Sequence, residues 1–284
     1  MAATINSSAC AFAGDSDLYG LGLRLGSYIQ WFSLVGAYHW APRTVPNLTV
    51  GIGILQLAML ITLVWKTSTA NDGDVLYNVG ALVITIFGSG GGLSAQANGI
   101  LQSSTHIKMT RLSLIGYDLL VLGFGVYNIW FWFKGISILS DPPCTPYAFL
   151  FAKVDLHGWF TTFSRVFSVV VLICTVLRLS AELASLPYAW SNRGKWLFDP
   201  EHRSLKTTRG AQLNWKVALA GQCLALGIFV AAIECIIDWN HIEDVSTLAS
   251  TGQLIPLIVG ISGFLQVATN IYNEITANEG SATS

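Results

Sequence analysis

The stretch LSLIGYDLLVLGFGVYNIWFWF, Leu112 to Phe133, carries a single charged residue, Asp118. A helix of about 20 mostly apolar residues crosses the hydrocarbon core of a bilayer, and this segment has that length. Six more runs of the same kind surround it, at about 21–40, 47–65, 75–97, 158–179, 215–238 and 248–270. Together they predict an all-α protein, a seven-transmembrane helix bundle. The first run is the weakest, because Arg24 lies near its start and Gly20, Gly22 and Gly26 interrupt the apolar pattern.

Composition points the same way. The chain has 284 residues and only 11% are charged, against roughly 25% in soluble domains. Hydrophobic residues make up 52% and mean hydropathy is +0.55. So few charges do not cover the surface of a soluble globule of this size. A disordered chain, a nucleic-acid binder and a soluble enzyme are therefore excluded, and net charge −1 implies no ionic partner. The expected partners are membrane lipids and a lipophilic small molecule. The domain reading is a tail at 1–20, a membrane domain at 21–273 and a second tail at 274–284. One long connection, about 180–214, carries Pro187, Gly194 and Pro200 and reads as a loop. No repeat of fixed period is present, and an odd span number does not suit an inverted-repeat transporter.

Basic residues set the orientation. Arg43, Lys108, Arg111, Arg178, Arg193, Lys195, Arg203, Lys206, Arg209 and Lys216 fall on one side; Arg24, Lys66, Lys134 and Lys153 fall on the other. The richer side, with the long loop and the C-terminus, is expected in the cytoplasm. The N-terminus is then expected outside, or in the lumen of the endoplasmic reticulum. Asn6-Ser7-Ser8 is a glycosylation sequon on that outer side, whereas the Asn47-Leu48-Thr49 sequon falls on the inner side and should stay unused. Cys10 and Cys144 are the two cysteines outside the spans, and both fall on the outer side, where a disulfide is stable. Residues 1–14 lack a basic start followed by an apolar core, so no cleaved signal peptide is expected.

Several local patterns carry chemistry. Asp15 and Asp17 precede the first run, where either caps its helix or pairs with Arg24. The same segment, through Tyr28, reads also as one wall of a polar pocket. The Gly88-Ser-Gly90-Gly91-Gly92 stretch reads as close helix packing, with local unwinding along a substrate path as the alternative. Charged groups inside spans need a reason. Arg165, Glu234 and Asp238 lie in the outer half, Glu234 and Asp238 four apart on one helix face. They read as a buried Arg165–Glu234 pair, or as a cavity that Asn128, His157 and Gln253 join. Two adjacent carboxyl groups in low dielectric favour keeping one protonated, which suits a general acid. Pro256 frees a backbone carbonyl near Gly252, and Gln253 either bonds it or faces the cavity. Asp238-Trp-Asn-His-Ile-Glu-Asp244 lacks the spacing of a metal site, so no metal and no cofactor is expected. The last run holds no Lys, which excludes a retinal Schiff base. Trp40, Trp65, Trp130, Trp132, Trp159, Trp215 and Trp239 fall near span ends as an interfacial belt. Tyr28, Trp31, Phe32, Phe124, Phe163, Phe167 and Phe229 lie deeper.

The Asp17-x-Tyr19-Gly20-x-Gly22-x-Arg24-x-Gly26-x-Tyr28-x-Gln30 pattern resembles a large group of fungal integral membrane proteins. So do Asp238-Trp-Asn-His-Ile and Ser250-Thr-Gly-Gln-Leu-Ile-Pro256. That resemblance implies a polytopic membrane fold over nearly the whole chain and no particular activity. Small seven-span membrane terpene cyclases offer an analogy in size, aromatic content and intramembrane acids. The leading expectation is an integral membrane enzyme, an isoprenoid (terpene) cyclase with Glu234 or Asp238 as acid. A transporter or channel lined by Arg165 and the two acids is the alternative, and a seven-span receptor the third. The endoplasmic reticulum or plasma membrane is the expected location.

Overall fold

The computed structural model describes residues 10–69, 76–101, 108–184, 200–202, 215–248 and 250–282. Seven long helices lie where the apolar runs stand: α1 Leu21–Trp40, α2 Val45–Thr69, α3 Asn78–Leu101, α4 Arg111–Trp130, α5 Trp159–Ala184, α6 Trp215–Trp239 and α7 Thr251–Ala282. Among the described residues, five helical segments are long and apolar enough to cross a membrane: Pro42–Thr69, Ser113–Ile138, Trp159–Ala181, Lys216–Trp239 and Thr251–Asn273. α4 continues through a wider π turn, Phe131–Gly135, into a short helix, Ile136–Ile138. α7 runs unbroken past Pro256 and through most of the stretch read as a tail at 274–284. Within the long connection, Pro200–His202 pairs antiparallel with Lys108–Thr110, so that segment is not wholly loop. Pro187 and Gly194 lie outside the described residues.

α1 is the centre of the bundle. It packs against α7, α3, α2 and α6, and thirteen of its 20 residues are buried. Its glycines make the α1–α7 contact. A Cβ at Gly22 would lie 2.8 Å from the Gln253 carbonyl carbon, and one at Gly26 would lie 2.5 Å from that of Pro256. On α7, a Cβ at Gly260 would lie 2.9 Å from Gly26 Cα. Matching positions rise together along both helices, so α1 and α7 run parallel. The glycines that weakened the apolar pattern are the points where two backbones touch.

The Gly88–Gly92 stretch is helical, not unwound. It takes side chains from three neighbours. Phe124 of α4 fills the space at Gly88, Trp31 of α1 that at Gly90 and Gln56 of α2 that at Gly91. Tyr117 of α4 locks this contact, donating to the Gly91 carbonyl at 2.8 Å and to Gln56 Oε1 at 3.1 Å. The packing reading holds at these glycines.

One end of the bundle is capped by chain segments distant in sequence. The Cys10–Cys144 disulfide joins the N-terminal segment to the α4–α5 connection, with Cα atoms 5.3 Å apart. Phe12–Ala13 pairs in parallel with Ile242–Glu243. The hairpin Tyr147–Phe149/Lys153–Asp155 is pinned to α6 by Asn240, whose side chain accepts from the Tyr147 N–H and donates to its carbonyl, each at 2.8 Å. Asp141 accepts from Asn78 at the start of α3 and meets His157 Nε2 at 2.7 Å. The N-terminal segment, the end of α2, the start of α3 and the α4–α5 and α6–α7 connections thus share an end, as alternating helices require. Trp132 is buried edge-on against Phe131 and Phe160, so it is core and not belt.

Candidate functional site

The polar centre of the structure is built by α1 and α6 below the capped end. Arg24 and Tyr28, four apart on α1, share a face and reach one carboxylate. Arg24 Nη1 pairs with Glu234 Oε2, and the Tyr28 hydroxyl donates to Oε1 at 2.8 Å. Arg24 Nη2 also donates to the Val245 carbonyl at 3.1 Å, while its Nε is buried with no partner among the described residues. The Arg24 side chain is 3% exposed, yet that of Glu234 is 45% exposed. Glu234 stands five residues before the end of α6, roughly 7 Å along the axis at 1.5 Å per residue. An aromatic wall backs the cluster. The Tyr28 ring stacks on Phe87 at 6.0 Å and tilts against Trp31 at 5.6 Å.

The expected Arg165–Glu234 pair is not formed. Arg165 Nε donates to the Trp132 carbonyl at 2.8 Å, and its guanidinium lies over the Phe133 ring at 5.6 Å. α5 packs along α4 and not along α6, so equal depth does not bring Arg165 to Glu234. Neither acid of the N-terminal segment meets Arg24. Asp15 caps the turn Ser16–Tyr19, accepting from Asp17 N at 3.1 Å, and pairs with Lys66. Asp17 accepts from Ser250 Oγ at 3.1 Å and so ties the start of α1 to that of α7.

The remaining candidates divide. Gln253 is 1% exposed and accepts from the Gly22 N–H at 3.5 Å, so it bonds α1 and not the backbone that Pro256 frees. Asp238, one turn outward from Glu234, is exposed and its carboxylate has no partner among the described residues. Asn128 is half-buried on α4, with no side-chain hydrogen bond among the described residues. His157 is exposed in the cap with Asp141. Asn6 lies outside the described residues, while Cys10 and Cys144 are joined as expected. Asp118 pairs with Arg178 of α5 at 2.9 Å, far from this cluster. Outside the spans, burial raises the Tyr19 phenol from 10.0 to about 12. Of the deep aromatics, Tyr28, Trp31 and Phe124 are buried, whereas Phe32, Phe163 and Phe167 are exposed.

Sequence reasoning missed Asn240 and the pairing of Arg24 with Glu234. A signal for the second existed, because Arg24 and Glu234 lie at similar distances from the same end. No protein-family model matches the chain, and no curated protein or solved structure matches it.

Proposed function

We propose that this chain is an integral membrane enzyme acting on a lipophilic small molecule, with Arg24, Tyr28 and Glu234 as the polar end of its substrate site. In this reading the capped end faces outside or into the lumen, the C-terminus lies in the cytoplasm, and the membrane is that of the endoplasmic reticulum or the cell surface. The observation that carries the proposal is the exposed flank of Glu234. A carboxylate on an apolar spanning helix is costly. Glu234 is held by two donors on one side and left open on the other. That open side suits a substrate group.

The reaction class we propose is isoprenoid cyclisation. Such chemistry needs a proton delivered to an alkene or epoxide, a passing cation and a base that takes a proton back. Two acids in different surroundings divide such roles. Glu234, fed by Arg24 and Tyr28, is the acceptor that quenches the cation. Asp238, exposed and without a partner among the described residues, is the carboxyl group that delivers the first proton. Arg24 and Tyr28 position Glu234. The transporter reading draws no support, since the α3 glycines are filled by neighbouring side chains and Arg165 stands apart.

The test uses microsomes carrying the full chain and a farnesylated aromatic epoxide. Cyclised product is expected from the wild type, a loss of more than a hundredfold from Glu234→Gln, and about a tenfold loss from Tyr28→Phe, which keeps the ring and its packing. No product from well-expressed wild type overturns the cyclase assignment. Full turnover by Glu234→Gln overturns the site.

A further inference from the structure

The open side of Glu234 leads into a groove. Helical periodicity divides α1 into faces. Gly22 and Gly26 face α7, and Arg24 and Tyr28 face α6. Between them runs a stripe spaced i, i+4, i+7: Leu25, Ile29 and Phe32. Leu25 is 39% and Phe32 40% exposed, and Ile29 is half-buried. A central helix keeps such a stripe open only where the helices on either side of it stand apart. α6 and α7 do so: among the described residues both pack along α1, and they do not pack along each other. Gly227 lies seven residues inward from Glu234 on the same α6 face, and a Cβ there would meet nothing within 4 Å. On the opposite wall α7 presents Leu254 and Ile261, both exposed. The floor, walls and head form one slot that is apolar along its length and carboxylate-bearing at one end.

We propose that this slot between α6 and α7 receives the apolar chain of the substrate sideways from the lipid, and that its occupant is a single-chain lipophile whose head is, or becomes, positively charged beside Glu234. The inference rests on the reading of Glu234 as the substrate's polar contact and adds the route and the class of ligand. Charge complementarity selects the class. Arg24 neutralises Glu234, and Asp238, once it has delivered its proton, places a negative charge at the head of the slot. Glu243 and Asp244, both exposed in the adjoining connection, extend the same sign. A cation is drawn there, and an anionic head is repelled. The floor is otherwise an apolar face that a chain covers more favourably than water does.

The experiment places the full chain in lipid nanodiscs. The probes are a long-chain tertiary amine with a terminal fluorophore, protonated at neutral pH, and the alkyl phosphate with the same chain and fluorophore. Saturable binding of the amine is expected, at least tenfold tighter than the phosphate. Gly227→Trp should weaken amine binding at least tenfold. Gly116→Trp, which also meets open space but lies on α4, should leave it unchanged. Equal binding of both probes overturns the assigned class, and unchanged binding by folded Gly227→Trp overturns the slot. The two readings fail separately. If Glu234→Gln abolishes turnover while Gly227→Trp alters neither binding nor turnover, the slot is wrong and the site stands. If the amine binds as expected but the wild type forms no cyclised product, the slot stands and the reaction class is wrong.

Discussion

Replacing Gly26 with Ala adds one methyl group at the α1–α7 contact. Its Cβ would lie 2.5 Å from the Pro256 carbonyl carbon and 2.8 Å from Leu257 N, where ordinary contact is 3.4–4 Å. Both neighbours are backbone atoms, so no side chain can swing aside and α7 itself must retreat by about 1 Å. Overpacking of this kind costs roughly 1–3 kcal/mol, and a backbone clash belongs at the upper end. Ala gains about 1 kcal/mol over Gly in a helix, which leaves a net loss of about 2 kcal/mol. For a chain of this size that lowers Tm by about 4–8 °C. Gly116→Ala meets nothing within 4 Å, so it should raise Tm by about 2–4 °C through propensity alone. The assay heats detergent-solubilised full chain and reads the surviving monodisperse fraction by fluorescence-detected size exclusion. Gly26→Ala combined with Gly260→Ala should cost less than the sum of the two, because both open the same gap. A Gly26→Ala protein as stable as the wild type would refute the α1–α7 seam.

Three further outcomes follow from the same contacts. Arg24 is buried, so Glu234→Met strands its charge and should cost about 2 kcal/mol, discounted from the 3–5 of a fully buried pair because Glu234 is half exposed; the Arg24→Met/Glu234→Met double variant should be the more stable of the two, and the reverse order in thermal unfolding denies the coupling. The Tyr19 phenol, raised from 10.0 to about 12 by burial, is held neutral in the fold, so its contribution is whole below pH 10 and is lost as pH climbs from 10 to 12; Tyr19→Phe should flatten that alkaline decline in Tm, and an unchanged slope rejects it. Expressed in a eukaryotic host, the chain should carry an endoglycosidase-sensitive glycan that Asn6→Gln removes and Asn47→Gln does not; the opposite result inverts the orientation.

Each of the seven helices stands in an apolar run, because a helix that meets lipid must satisfy its backbone internally and present apolar side chains. The disulfide was legible too, since Cys10 and Cys144 are the two cysteines outside the spans. What the pattern did not convey is azimuth. Arg165 and Glu234 sit at matching depth, and depth is what a one-dimensional reading measures. Which helix stands beside α6 depends on packing: α5 settles on α4, and α1 passes through the middle.

The misjudged status of α1 has the same origin. A hydropathy pattern reports contact with lipid, and a helix that others surround has little of it. Arg24, Ser27, Gln30 and Ser33 are all buried along α1, where they face other helices. Gly22 and Gly26 lower its apolar score for a related reason, since a backbone pressed against a backbone has no room for a side chain. The run least like a membrane span is therefore a run largely enclosed by protein. A polar cluster can be assembled only where protein and not lipid is the neighbour. The low score of α1 and the location of the Arg24–Tyr28–Glu234 cluster are thus two consequences of one position in the bundle.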